Sequence, residues 1–292
     1  MADGAASSGV PRFSVVVPTR NRPLYLAEAI ESIRAQTLSD FEIVVVDDHG
    51  DVEITLPDDD RIRILRLDHR HGPAGAFNAG VAAAVGEIVT FCADDDWWLP
   101  NRLELAEAGL SHAPVAMCFV RYSDEAEDSK ERPVPRGWIG DKVMDRGWTP
   151  GMAGMALHRE CWLGLDERYP AAEDTEFALR LCTEFPIWTV PEYGYLVRRH
   201  DEVRDIHGPL ARVQGMRMLL EENAQWFEAH RSAHAFRLRR IGLTYASIGH
   251  RRDAARVFWE SLRTHPSPAA ARDLARVLGS GSIDAARRVI GR

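Results

Sequence analysis

Three consecutive aspartates, Asp94-Asp95-Asp96, follow directly on the apolar run Ile88 to Cys92. Neighbouring carboxylates repel one another in water, and the pKa of one of them rises; a divalent cation removes that penalty. Hard cations such as Mg2+ or Mn2+ take oxygen ligands and leave room for phosphate and water. A nucleoside diphosphate-sugar calls for such a cation, because its leaving diphosphate gains charge as the glycosidic bond breaks. One aspartate would be enough to cap a following helix over Asn101 to Leu110. Three of them behind a buried strand favour the metal reading.

Other acidic and basic residues each carry two readings. Asp48 closes the run Phe41 to Val46 together with Asp47. A carboxylate there can accept from a ribose hydroxyl or a base N–H, or it can form the turn before His49-Gly50. Glu173-Asp174 opens a helix-forming segment. It can take the proton of an attacking acceptor hydroxyl, or compensate the helix dipole. His200, behind Arg198-Arg199, reads as a metal ligand, a phosphate contact or a surface histidine. His69 and His71 lack metal-type spacing and are read as structural. Cys92, Cys118, Cys161 and Cys182 form no C-x-x-C pair and are expected to be buried thiols.

These side chains need strand ends to stand on. Phe13 to Val17 is a β-branched run stopped by Pro18, without polar alternation, and predicts a buried parallel strand. Helical spacing follows over Leu24 to Gln36, then strands over Phe41 to Val46 and Arg61 to Leu67. A helix over Ala76 to Val85, stopped by Gly86, leads into the strand Ile88 to Cys92. This order predicts a doubly wound, Rossmann-like, mostly parallel α/β sheet. Such sheets bind ligands at the carboxyl ends of their strands. Pro18-Thr19-Arg20, Asp47-Asp48 and Asp94-Asp95-Asp96 occupy three of those ends.

Further along, Ser123 to Thr149 reads as a long excursion over the site. Met152 to Leu157 predicts a strand, Ala172 to Cys182 a helix, and Trp188 to Arg199 an extended stretch. From Pro209 the pattern is helical. Ile241 to Pro266 resembles one tetratricopeptide-like hairpin, with a partial second copy over Asp284 to Ile290. The expected organisation is a flexible start over 1–11, an α/β domain over 12–207 and a helical tail over 208–292.

The 292 residues carry a net charge of −8, unevenly spread. From Arg204 onward sixteen arginines face eight carboxylates, so the tail is +8 and the remainder −16. An acidic body argues against nucleic acid as a partner. The basic tail fits a solvated helix face or peripheral contact with lipid headgroups. The first ten residues lack a signal-like apolar segment, and no apolar run approaches the roughly 18 residues of a membrane span. A cytoplasmic chain without a transmembrane segment is expected.

At this point a family becomes visible. VVVPTRNR (15–22), QTLSDFEIVVVDD (36–48), GAFNAG (75–80), FCADDDWWLPNRL (91–103) and GLDERYPAAEDTEFALR (164–180) resemble family 2 glycosyltransferases of the GT-A fold, in the right order and spacing. The likeness covers about residues 12 to 205. It implies an inverting, nucleotide-sugar-dependent hexosyltransferase using Mn2+ or Mg2+, with UDP-sugar favoured as donor and dTDP-sugar next. Pro18, Thr19, Arg20 and Asp48 would line the nucleoside pocket, with Asn78, Asp94 and Glu173 also on the donor. Asp95 would bind the metal, supported by Asp96 and His200. Asp174 would be the catalytic base. Ala93 stands where many members have the first Asp of D-x-D-D, and Phe77 where an Arg often precedes the Asn. The acceptor, whether small molecule, glycan or peptide, is not legible.

Two other classes compete. A sugar nucleotidyltransferase should carry a Gly-rich loop after its first strand, where this chain has Pro18-Thr19-Arg20-Asn21-Arg22. A non-catalytic sugar-nucleotide binder or scaffold would not need Asp95, Asp174 and His200 together. A dehydrogenase is disfavoured by the missing G-x-G-x-x-G.

Overall fold

The structure, a computed structural model, describes residues 9–122, 136–140, 151–199 and 208–279. These form two compact units, one within 1–140, 150–167 and 180–199, the other within 141–149, 168–179 and 200–292. The second unit therefore takes in 168–179 as well as the helical tail.

The first unit is built on a nine-stranded mixed sheet. Its first part is all parallel and consists of β1 (Phe13–Thr19), β2 (Phe41–Asp47), β3 (Ile62–Arg66) and β4 (Ile88–Phe91), in the order β3-β2-β1-β4. β1 and β2 are covered on both faces, which is why they read as unbroken apolar runs. α1 (Pro23–Arg34) buries Leu26, Ala29, Ile30 and Ile33, a stripe at helical spacing. α2 (Gly72–Ala83) lies so close to the sheet that a Cβ on Gly80 would come within 2.3 Å of the Val16 side chain. That contact explains the second glycine in GAFNAG.

α2 begins at Gly72, four residues before the expected Ala76. Pro73 suits the first turn of a helix. The orphan N–H groups at this end are taken by Asp48, a partner distant in sequence that local patterning does not reveal.

Beyond β4 the sheet changes character. β5 (Trp97–Trp98), α3 (Arg102–Leu110), β6 (Val115–Tyr122), β7 (Gly137–Ile139), β8 (Met155–His158) and β9 (Ile187–Val197) continue the unit. β8 runs antiparallel between β4 and β6, β9 parallel to β6, and β5 and β7 antiparallel to β9. β6 was not anticipated from the sequence. Apart from β7 and its flanking residues, the excursion over 123–149 lies outside the described residues.

In the second unit, α4 (Glu173–Glu184) contributes residues 173–179, followed by α5 (Gly208–Glu222), α6 (Ala224–Ala229), α7 (Arg231–Ser247), α8 (Arg251–Thr264) and α9 (Pro268–Leu278). α7 and α8 form a helical hairpin, turned at Gly249 with φ +79° and packed where Gly242 meets the Phe258 ring. α8 and α9 share an apolar core of Ala254, Phe258, Leu262, Ala270, Ala271 and Leu274. Ser267 caps α9, its Oγ accepting from Ala270 N at 3.1 Å. The partial repeat over 284–290 lies outside the described residues.

Candidate active site

The register of the parallel strands brings the acidic residues to one edge. Thr19, the last residue of β1, stands opposite Asp47 of β2, and Phe91 of β4 stands opposite Val16 of β1. The chain leaving β4 passes into the aspartate loop beside the end of β1. All three aspartates are buried, yet they face different partners.

Asp94 accepts from Thr19 Oγ1 at 2.8 Å and from Arg22 Nη1 at 3.3 Å. Asp95 accepts from the same Arg22 nitrogen at 3.0 Å. Burial, with the neighbouring Asp95 charge adding to it, pushes the Asp94 carboxyl above the ordinary range, against the hydrogen bond from Thr19 and the charge of Arg22. Asp96 turns the other way. Its Oδ2 accepts from Tyr195 Oη at 2.9 Å and its Oδ1 from the Arg198 backbone N–H at 2.9 Å.

The end of β9 thus braces the loop. Tyr195 Oη also accepts from Ala93 N at 3.0 Å. Burial first, then the nearby Cys92 and Asp96, raises this phenol well above its usual value, so it stays a donor to Asp96. The Arg198 guanidinium lies 3.7 Å over the Trp97 ring, donates to the Asp95 carbonyl at 2.9 Å and pairs with Glu28. Arg102, fully buried beneath, donates to Thr90 Oγ1 at 2.9 Å and to the Met155 carbonyl at 2.7 Å.

Other residues that the sequence singled out are spread along this edge. Pro18 pairs with Val46 inside the sheet, and Arg20 is exposed, 3.9 Å from Asp51. The Asp48 oxygens accept from His71 N at 2.6 Å and Gly72 N at 2.9 Å, which ties the end of β2 to α2. Asn78 is bonded through both amide atoms to Leu165, and to Glu167 at 3.0 Å, so it joins α2 to the loop after β8.

An all-oxygen set with two buried, cation-bearing carboxylates, Asp94 and Asp95, fits a hard divalent ion held sparingly by protein. Asp96, engaged at both oxygens, stands as the strut of that set. Among the described residues, the group whose ligand atoms lie within 4.8 Å of one another is a different one, Asp68, His69 and His71, largely exposed at the α2 entry. These two histidines, read as structural, are paired with Asp68.

In the second unit, Asp174 is exposed at the start of α4 and accepts from Thr175 Oγ1 at 3.2 Å. Burial and the adjacent Asp174 charge raise the Glu173 carboxyl. The turn is tightly built. Ala172 has φ +70°, and a Cβ on Gly215 of α5 would fall 1.8 Å from the Ala171 carbonyl. Arg237 of α7 is buried within electrostatic reach of Asp174; burial brings its guanidinium down to about 10, with Asp174 opposing. His200 lies outside the described residues.

Arg22, Tyr195, Arg198 and Arg237 were not singled out in the sequence. Arg22 had a signal, a second arginine in the loop leaving β1. The others act through long-range contacts that no spacing encodes.

The mixed α/β sheet, with carboxylates at its parallel strand ends, is similar to the GT-A fold of solved glycosyltransferases. Residues 14–158 match the family described as glycosyl transferase family 2, and the chain belongs to that family. It is 40% identical over 114 residues to the GalNAc(5)-diNAcBac-PP-undecaprenol beta-1,3-glucosyltransferase of Campylobacter jejuni, covering 35% of this chain and 37% of the relative. The chain matches about a third of the length of the first curated relatives. In fold it is similar to Staphylococcus aureus TarS 1–349 solved with UDP-GlcNAc, at TM-score 0.66 and 16% identity over 96% of this chain and 90% of the other. It is also similar to the mannosyltransferase PcManGT of Pyrobaculum calidifontis with GDP-Man and Mn2+, at TM-score 0.57 and 19% identity over 97% and 84%. Among the described residues no helix is long and apolar enough to cross a membrane.

Proposed function

We propose that the chain is a metal-dependent inverting glycosyltransferase that moves a sugar from a nucleoside diphosphate donor to a hydroxyl or similar nucleophile. The observation that carries this reading is the buried Asp94–Asp95 pair, bridged by a cation at the end of the parallel strands. Asp95, with Asp94 beside it, would hold Mn2+ or Mg2+, which when bound supplies the positive charge that stabilises the leaving diphosphate. Asp96 serves as the strut, and His200 is proposed as a further ligand. Thr19 orients Asp94, while Pro18, Arg20, Asn78 and Glu173 belong to the donor's surroundings. Each Asp48 oxygen already holds one backbone N–H and keeps lone-pair capacity for base or ribose. Asp174 takes the acceptor proton.

UDP-sugar is the favoured donor, with dTDP-sugar next; the UDP-GlcNAc complex of TarS supports the former, and GDP-mannose in PcManGT adds a third base to test. The name of the Campylobacter relative makes a polyprenyl diphosphate-linked glycan a lead for the acceptor. We assign the chain to the cytoplasmic side, with peripheral contact through its basic C-terminal region.

The test is donor hydrolysis. UDP-, dTDP- and GDP-sugars are incubated with the chain and Mn2+, Mg2+ or chelator. Slow release of nucleoside diphosphate from one donor, lost on chelation, is expected. Release untouched by chelation would remove the metal from the reading, and no release from any donor would overturn it.

A further inference from the structure

We propose that Arg22 is an exchangeable counter-ion: its guanidinium holds Asp94 and Asp95 while no divalent cation is bound, yields them to the cation, and passes to the donor diphosphate. This rests on the reading of these two carboxylates as the cation site.

The carboxylates are buried and the arginine is partly exposed. The Asp94 and Asp95 side chains are 8% and 4% exposed, against 37% for Arg22. A buried anion pair therefore meets its cation from the solvent side, along the path an incoming ion would take. The contact is also a weak form of arginine–carboxylate pairing. Both carboxylates are reached through the one nitrogen Nη1, at 3.3 and 3.0 Å, instead of through a two-pronged fork on a single carboxylate. Arg22 acts here as a point charge, the part a metal ion plays better.

Charge balance supports the exchange. Two carboxylates and one guanidinium leave a net −1. A dication brings the pair to neutrality and sets one guanidinium free. The nearest large negative charge at a loaded site is then the diphosphate itself, an anion to which arginine binds well.

The backbone permits a swing of the side chain alone. Arg22 precedes α1, and the residue before it, Asn21, is held at φ +59°, its Oδ1 accepting from Asp51 N at 2.7 Å and Val52 N at 3.2 Å. The loop is pinned, so movement falls to the arginine torsions. Among the described residues, Arg20 reaches toward Asp51, and Arg198 pairs with Glu28, stacks on Trp97 and donates to the Asp95 carbonyl, not to its carboxylate.

The experiment compares the full chain with Arg22→Gln and Arg22→Lys. Free Mn2+ is titrated by electron paramagnetic resonance without donor, and UDP is then titrated calorimetrically at saturating Mn2+. Arg22→Gln should bind Mn2+ about tenfold more tightly and UDP about tenfold more weakly, the scale of losing a charged hydrogen bond. Arg22→Lys, which keeps the charge, should bind Mn2+ close to the parent value. Equal or weaker Mn2+ binding by Arg22→Gln overturns the exchange, and unchanged UDP binding overturns the transfer to diphosphate. Asp95→Asn should abolish the Mn2+ signal in every background. Mn2+ binding that survives Asp95→Asn, or is absent from both parent and Arg22→Gln, would instead overturn the cation site itself and the exchange with it.

Discussion

Asp96 and Asp174 are both carboxylates with an acidic residue just before them in sequence, and the protein treats them in opposite ways. Asp96 is buried and held at both oxygens, by the Tyr195 hydroxyl and the Arg198 backbone N–H. Asp174 is exposed, with Thr175 as its hydrogen-bonding neighbour and the buried cation of Arg237 within electrostatic reach. A loop that must present charge to an ion gains from rigid walls, because a preorganised site loses less on binding. A group that must accept a proton needs access and an anionic form sustained by its surroundings. The two regions teach that carboxylates alike in sequence are sorted by their neighbours.

The strongest way to break this comparison is Asp174→Asn. The substitution keeps shape and removes the proton acceptor, so kcat should fall about a thousandfold, within the range for general acid–base groups. UDP affinity should be unchanged. Single-turnover kinetics with calorimetry checks both; turnover near the parent rate would sink the base assignment.

A smaller effect sharpens the other side. Tyr195→Phe removes the hydroxyl that bridges Ala93 N and Asp96. A buried N–H and a carboxylate oxygen lose a partner, at a cost of about 1–3 kcal/mol. The expected result is a melting temperature lower by several degrees and weaker Mn2+ binding, read by calorimetry and spin resonance. An unaltered melting temperature would mean that the loop does not depend on its brace.

How much of this was legible in the residues follows the same division. The parallel strands β1, β2 and β4 were readable because burial on both faces leaves an unbroken apolar run, and the aspartates stood out because they end one. The start of α2 was not, since its N–H partners come from Asp48, more than twenty residues away. β6 escaped because Val115–Tyr122 looks the same as any short apolar run until β8 and β9 pair with it. The acidic triplet was readable as a cluster, and the family resemblance divided its labour, but the partners that hold each aspartate were not readable. Asp96 is assigned to structure by Tyr195 and Arg198, both about a hundred positions distant.

The smallest effect concerns Glu173, which shares a sequence motif with Asp174 but not its exposure. Burial, then the Asp174 charge, raises its carboxyl above the ordinary value. A carboxyl raised in the folded state binds more protons folded than unfolded between its ordinary and its raised value. Stability therefore falls as pH climbs through that window, and the penalty is complete above it. Glu173→Gln removes the charge and keeps the shape. The variant should melt about 2 °C higher than the parent at pH 8, and the gap should close as pH is lowered below the ordinary glutamate range. A gap of the same size at both ends of the pH series would show that the charge of Glu173 costs the fold nothing. Asp174, exposed beside it, would then owe its position to the tight turn at Ala171 and Ala172 alone.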